Sequence, residues 1–344
     1  MKIYFPLKNN LYKLESTKLK IGLQLTKNSK KYSQLLKVLK SNLKIIDNLE
    51  FIQIPNNDIL KCQIGSLDIL VTYSISKELF SNASDKLKWI HIGAAGIEKS
   101  LFPSIIKSRT VITNARGIHA TPVSEFVLGI ILYLSKKFKK CEKFKRDKNW
   151  TQWEIASQTI QLKGKTIGII GYGKIGKAIA KKCINFDMKV IATRRLQKKY
   201  EVKKTYELIP ISELDYLLEN SDYIVIACPL TPMTKGLIGK KEINKLKPTA
   251  FLINIARGEI IIEKELINAL EKKIISGAAL DVFENEPLKK TSPFFNLDNI
   301  FLSPHISGNF PEYQKAMITQ FSDNLNRFIN GQSLKNRICK KRLY

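Results

Sequence analysis

The chain reads as an α/β protein built from two doubly wound parallel-sheet domains, and three observations lead there. Its 344 residues suit two domains at roughly 100 to 200 residues each, so each can bury a core of its own. Short apolar runs alternate with helical patterns from end to end, which is the mark of βαβ construction. A glycine-rich turn stands between a strand pattern and a helix pattern at residues 171–176. Hydrophobic residues at 44% and charged residues at 26% are ordinary for a globular chain and exclude a disordered or fibrous protein.

In the first third the strand candidates are 19–25, 51–54, 68–73, 87–92 and 111–114, with helices expected around 33–43, 76–83 and 98–107. A long helix follows, with Thr121 as its expected N-cap and Pro122 at the first helical position, where a missing N–H costs nothing. Its run from Phe126 to Leu134 carries no charge, so burial between domains or subunits is expected. A second alternating series runs from Thr166 to His305: TIGIIG, KVIAT, DYIVIAC, AFLINIA, GAALDVF and NIFLSPH. Six strands with intervening helices make the count of a dinucleotide-binding domain. The tail from 311 to 329 is helical and is expected to return to the first domain. The expected division is therefore 1–114 with 310–344 as one domain and 115–309 as the other.

Composition bounds the rest. The uncharged run is far shorter than the roughly 20 residues that span a bilayer, and MKIYFPLKNN lacks the apolar core of a signal peptide, so a cytoplasmic protein with no membrane partner is expected. The five cysteines are scattered and odd in number, which predicts reduced, mostly buried thiols and no metal site. The formal charge of +28 is spread along the chain, with Lys far outnumbering Arg, and is read as general lysine bias with no specific nucleic-acid partner. The densest cluster, KKFKKCEKFKRDK from Lys136, reads as the solvated face of a helix. Trp150 and Trp153 are expected at an interface or in a core.

Residues 171–176 read Gly171, Tyr172, Gly173, Lys174, Ile175, Gly176. Gly171 permits a tight turn, Gly173 lets backbone approach a pyrophosphate, Gly176 lets helix pack closely on strand, and the helix N-terminus offers N–H groups to an anion. At the end of the next strand, where an acidic residue normally holds the ribose of NAD, stand Thr193, Arg194 and Arg195. Guanidinium groups there suit a 2′-phosphate, so NADP(H) is predicted over NAD(H), which stays possible.

Of the three histidines, His91, His119 and His305, only His305 ends a strand of the nucleotide domain, where ligands of open α/β sheets collect. Arg257 and Glu286 occupy equivalent strand ends. One cation, one acid and one imidazole thus converge where a nicotinamide would lie; a protonated His305 can neutralise negative charge that forms on a nearby oxygen, and a Glu286 carboxylate beside it favours the charged ring. Arg257 offers a planar fork to a carboxylate. His91 and His119 read as structural residues near the cleft, and Tyr73, at the end of its strand, as a candidate wall of the substrate pocket.

The segments GYGKIGKAIA, CPLTPMTKGLI, NIARGEIIIEKEL, GAALDVFENEPL and SPHISG, with ATPVSEFVLGIIL and the closing GQSLKNRI, resemble the D-isomer-specific 2-hydroxyacid dehydrogenases over nearly the whole chain. The resemblance implies a flavodoxin-like substrate domain and a Rossmann domain that close over a 2-oxo acid. It implies that Arg257 binds the substrate's carboxylate and carbonyl oxygen, that His305 is the acid/base, and that Glu286 hydrogen-bonds it. It further implies that Asp281 holds the nicotinamide carboxamide, that Pro229, Thr234, Ile255 and Gly308 line the coenzyme site, and that the 93–97 turn, with Ala95 and Gly96, presents N–H groups to the carboxylate. Glyoxylate, hydroxypyruvate or a similar 2-oxo acid is the expected substrate, and a homodimer the expected assembly. A phosphoglycerate dehydrogenase, made less favoured by the lack of an appended domain, and a nucleotide-sensing corepressor-like protein are the alternatives.

Overall fold

In a computed structural model of the chain, which describes residues 18–195 and 197–341, two compact units are found. One is Met1–Ile118 with Phe310–Tyr344, described from residue 18 to residue 341; the other is His119–Asn309. The leader expectation for residues 1–10 lies outside the described residues.

The first unit holds β1 (Leu19–Leu23), β2 (Leu49–Gln53), β3 (Ile69–Thr72), β4 (Trp89–Ile92) and β5 (Val111–Asn114) in one five-stranded sheet of order β2-β1-β3-β4-β5. Every pair is parallel, and the order is the flavodoxin-like one. β3 and β4 are buried at every position, as strands covered on both faces must be. The helix Ser29–Ser41 covers one face with Tyr32, Leu35 and Leu39. It starts four residues before the sequence expectation because the Asn28 side chain accepts from the N–H of Lys31 at 2.9 Å and fixes the start there. The helix Asn57–Gln63, which periodicity did not reveal, is nucleated in the same way by Asn56. The closing helix Tyr313–Ile329 packs on Ser29–Ser41 and puts Met317, Ile318, Phe321 and Leu325 into the same core.

The second unit holds β6 (Thr166–Ile170), β7 (Lys189–Thr193), β8 (Glu201–Val202), β9 (Tyr206–Ile209), β10 (Tyr223–Ile226), β11 (Phe251–Asn254), β12 (Gly277–Leu280) and β13 (Ile300–Leu302). They form one eight-stranded sheet of order β13-β12-β11-β10-β6-β7-β9-β8, parallel except for the short β8–β9 edge pair. The six expected strands are present, and β8 and β9 are added to them. β9 is the third strand of the Rossmann order, and it escaped notice because only Leu208 and Ile209 of its four residues are buried. Alternate side chains feed the two faces: Ile224, Ile226 and Leu252 enter one core, Val225, Tyr223 and Ile253 the other.

The long helix runs Ala120–Ser135, so Thr121 lies inside it and is not the cap. The cap position is His119, and Pro122 still sits in the first turn, where its missing N–H has no intrahelical acceptor. Its apolar face packs on the helix Lys174–Ile184 through a core that contains Val123, Val127, Ile130 and Ile131, so the uncharged run is satisfied inside this unit. The basic helix Phe138–Asp147 buries no residue, in keeping with a solvated face. Trp150 and Trp153 are 76% and 78% exposed, which removes the core reading for both. Burial of thiols was overestimated: Cys183 is buried and Cys228 half-buried, whereas Cys62, Cys141 and Cys339 are exposed. Among the described residues no helix is long and apolar enough to cross a membrane.

Candidate active site

In the sheet of the second unit the strand order reverses between β6 and β10, and a crevice opens outside the carboxyl ends of strands at such a point. The glycine turn lies there. Gly171 has φ +113, and a Cβ on it would stand 2.7 Å from the backbone nitrogen of Cys228, at the end of β10. Gly176 is closed from the other side, since a Cβ would come within 2.3 Å of the Gly171 carbonyl oxygen. At Gly173, the N-cap of the helix Lys174–Ile184, an added Cβ meets nothing within 4 Å, so open space faces the end of the helix where unpaired N–H groups gather. The residues present thus fit a dinucleotide pyrophosphate.

Neighbouring strand ends complete this half of the site. The Thr193 carbonyl accepts the N–H groups of Gly171 (3.2 Å) and Tyr172 (2.8 Å), while its side chain is buried, so Thr193 shapes the turn. Lys177 places its ammonium 5.7 Å from the Tyr172 ring centre and holds the first helical turn against it. Arg194 and Arg195 follow β7 directly and are exposed. Beyond β10, Pro229 is exposed, and the Thr234 hydroxyl donates to its carbonyl at 2.7 Å and accepts from the Thr231 N–H at 2.8 Å, closing the 229–234 loop. Ile255 is 8% exposed at the end of β11.

Arg257, Glu286 and His305 gather in the same unit. His305 Nδ1 lies 2.8 Å from Glu286 Oε2, and the other carboxylate oxygen accepts the Phe283 N–H at 3.0 Å. Burial pushes the Glu286 carboxyl up, but the hydrogen bonds from His305 and Phe283 and the positive charges of His305 and Arg257 outweigh it, so Glu286 stays ionised below its ordinary range. The Asn254 side chain is buried and braces the neighbouring turn: its amide donates to the Arg257 carbonyl at 2.8 Å and its oxygen accepts the Ala256 N–H at 3.0 Å. Asp281 is 1% exposed and accepts from the Ser303 hydroxyl (2.6 Å) and from the N–H groups of Ile306 and Ser307 (2.9 Å each). The sequence reading had no sign of these bonds.

His119, expected to be structural and near the cleft, lies close to Arg257 and His305. Burial first, then the charges of Arg257 and His305, hold its ring below the ordinary imidazole value. A Cβ on Gly308 would lie 2.7 Å from His119 Cδ2, so Gly308 is the residue that lets this ring in. Its position beside Gly308, Arg257 and His305 makes it part of the wall of the candidate site.

In the first unit, Tyr73 follows β3, and its hydroxyl accepts from the side-chain amide of Gln314 at 2.7 Å. The turn after β4 is pinned by the Gly93 N–H to the Thr72 carbonyl (2.7 Å), by the Tyr313 hydroxyl to the Gly93 carbonyl (2.5 Å) and by the Asn114 amide to the Ala95 carbonyl (2.6 Å). Among the described residues nothing accepts from the N–H groups of Ala94, Ala95, Gly96 or Ile97. His91 is wholly buried. Its Nδ1 lies 2.8 Å from Thr113 Oγ1, which also accepts the Trp89 indole N–H at 2.8 Å, and burial pushes its pKa down to about 3. It is a core residue.

Residues 128–307 match the family described as D-isomer specific 2-hydroxyacid dehydrogenase, NAD binding domain. The chain belongs to the D-isomer-specific 2-hydroxyacid dehydrogenases. It is similar to the glyoxylate reductase of Thermofilum pendens, with 35% identity over 267 residues, 76% of this chain and 78% of the relative. A crystal structure of a D-isomer-specific 2-hydroxyacid dehydrogenase family protein from Aeromonas salmonicida is 29% identical and superimposes with a TM-score of 0.79 over 94% of this chain and 100% of that one. The NADPH-dependent glyoxylate/hydroxypyruvate reductase of Sinorhizobium meliloti, 23% identical, shares the fold with a TM-score of 0.79 over 95% of this chain and 100% of that one. As a member of this family the protein is an NAD(P)-dependent dehydrogenase that links a 2-oxo acid to its 2-hydroxy acid.

Proposed function

We propose that this dehydrogenase works as an NADPH-preferring reductase of small 2-oxo acids of the glyoxylate and hydroxypyruvate kind, with His305 as acid, Glu286 as its partner and Arg257 as the substrate anchor. The observation that carries the reading is the 2.8 Å contact between His305 Nδ1 and Glu286 Oε2, with the charge of Arg257 acting on the same carboxylate. The coenzyme, when bound, supplies the hydride. His305 uses its free Nε2 to give a proton to the oxygen that becomes negative, and Glu286 keeps the ring in the tautomer and charge that this transfer needs. Arg257 grips carboxylate and carbonyl oxygen with its fork and fixes the reacting carbon, the positioning share of catalysis. The unpartnered N–H groups of the 94–97 turn suit a carboxylate as well, and Tyr73, in contact range of Gly93, walls that turn.

On the coenzyme, the pyrophosphate falls to the 171–176 turn, with Tyr172, Lys174 and Ile175 around it, and the 2′-phosphate to Arg194 and Arg195. Pro229, Thr234, Ile255, Asp281 and Gly308 surround the nicotinamide half. Each charge-assisted bond to a phosphate contributes about 1.5 to 3 kcal/mol, or roughly ten- to a hundredfold in affinity. Initial rates with NADPH and NADH against a panel of 2-oxo acids test the reading. A lower KM for NADPH supports it, and a preference for NADH overturns the assignment of the two arginines. The exposed Trp150 and Trp153 favour a homodimer with these aromatics at its interface, which sedimentation of the wild type beside W150A/W153A checks: a single-chain mass for the wild type refutes it. The five free cysteines fit a reducing compartment such as the cytoplasm.

A further inference from the structure

We infer that Asp281 is a positioning residue for His305: its buried carboxylate clamps the turn after β13 and so holds the imidazole in a backbone conformation that the sequence would otherwise avoid. This rests on the assignment of His305 as the acid.

His305 has φ +56, the left-handed region, and it carries a Cβ that makes this region unfavourable. Position 305 itself is not a glycine, and although His enters this region more readily than most side chains, neighbouring bonds are needed to hold it there. Directly after a left-handed residue, successive N–H groups converge to form a small concave site for an anion. The anion here is a side chain. Asp281 Oδ1 accepts the Ile306 N–H at 2.9 Å and Oδ2 accepts the Ser307 N–H at 2.9 Å, while the Ser303 hydroxyl, on the other side of His305, reaches Oδ1 at 2.6 Å. The turn is thus held on both flanks of the histidine. Asp281 is itself fixed, because its own N–H donates to the Asn254 carbonyl at 3.0 Å. It is 1% exposed, and a carboxylate that deep in the protein needs such donors to stay there. With the turn so held, the His305 ring meets Glu286 at 2.8 Å. Asp281 does not touch the ring. It acts through the backbone.

Replacement Asp281→Asn keeps the shape but turns an amide N–H toward one of the loop's own donors, opening the clamp. The milder Ser303→Ala removes one arm and leaves Asp281 in place. Turnover should fall about a hundredfold in Asp281→Asn, as for a misplaced catalytic group, and about three- to tenfold in Ser303→Ala. The coenzyme dissociation constant, measured by fluorescence titration, should stay at the wild-type value in Ser303→Ala, whose side chain has no part in the coenzyme site. Imidazole resonances offer a readout independent of activity: with three histidines in the chain, the His305 ring signal should shift or broaden in both variants while that of His91 stays put. A purely carboxamide-binding Asp281 gives a different pattern, in which coenzyme affinity drops and the loss disappears with the acetylpyridine analogue of the coenzyme. That pattern overturns the proposal, as does an unmoved His305 resonance with wild-type turnover in Ser303→Ala. His305→Ala serves as the control: full turnover in that variant refutes the acid assignment, whereas an inactive His305→Ala beside an unaffected Ser303→Ala and Asp281→Asn refutes the clamp alone.

Discussion

Replacing Glu286 by Gln tests the acid machinery at the bond that defines it. The wild-type carboxylate serves two partners, the Phe283 N–H at 3.0 Å and His305 Nδ1 at 2.8 Å. Gln is nearly isosteric, yet its amide oxygen can accept from only one of them, and its N–H₂ then opposes the other or forces His305 into the tautomer with bare Nδ1. In either arrangement the positive ring loses its negative partner. A hydrogen bond to a charged group contributes about 1.5 to 3 kcal/mol when well shielded. The side chains of His305 and Glu286 are 48% and 36% exposed, so solvent screens the pair. Discounting for that leaves about 1 to 2 kcal/mol, which is roughly a five- to thirtyfold loss in kcat. Stopped-flow oxidation of NADPH with saturating glyoxylate measures it directly, and titration of coenzyme binding should show no change, since Glu286 is not among the groups proposed to hold the coenzyme. Wild-type turnover in Glu286→Gln, together with unchanged coenzyme binding, would refute the claim that this carboxylate supports the proton donor.

Other expectations concern stability and the coenzyme loop. His91 is held neutral by burial, with a folded pKa of about 3 against an ordinary 6.5, so the unfolded chain takes up a proton that the folded chain refuses. Its contribution is fully present above pH 6.5 and declines as pH falls toward 3, at about 1.4 kcal/mol per pH unit, which denaturant melts of the wild type and His91→Leu at a series of pH values will reveal as a difference in slope. Parallel slopes in the two proteins would contradict that account. Gly176→Ala drives a Cβ to 2.3 Å from a backbone carbonyl, so the turn must shift; coenzyme affinity should drop at least about tenfold, read by fluorescence titration, whereas the same change at the open Gly173 should keep the fold, read by circular dichroism, and obstruct only the ligand. Asn254→Ala leaves the Arg257 carbonyl and the Ala256 N–H without their partner and should raise KM for the 2-oxo acid more than for NADPH, which steady-state kinetics will separate.

Strands buried on both faces announce themselves as unbroken apolar runs, which is why TIGIIG, DYIVIAC and AFLINIA were readable. Tyr206–Ile209 has only two buried residues among lysines, and its membership in the sheet comes from pairing with β7, a long-range fact. Helix starts depended on single capping side chains: Asn28 and Asn56 could have been noticed, whereas Thr121 looked like a cap and is a residue of the helix. Arg257, Glu286 and His305 of the candidate site could be named because each ends or follows a strand of the series, and the structure brings them near one another. The bonds that hold them could not be named. Asn254 and Asp281 look in the sequence like ordinary polar residues at strand ends, and only the parallel register that sets Asn254 beside Leu280, one residue before Asp281, puts the two at adjacent strand ends. His119 reached the site through the small volume of Gly308, a contact between residues far apart in the chain.

The helix Tyr313–Ile329 gives the first unit a peculiar history during synthesis. Its Phe321 and Met317 complete a core whose earlier members, from Ile21 to Ala115, were made about two to three hundred residues before. The continuous unit between them has all its strands off the ribosome before that helix emerges, so the coenzyme half can fold while the other half waits for its last piece. A nascent chain stopped near residue 310 would then bind dinucleotide yet expose the unfinished apolar face to chaperones.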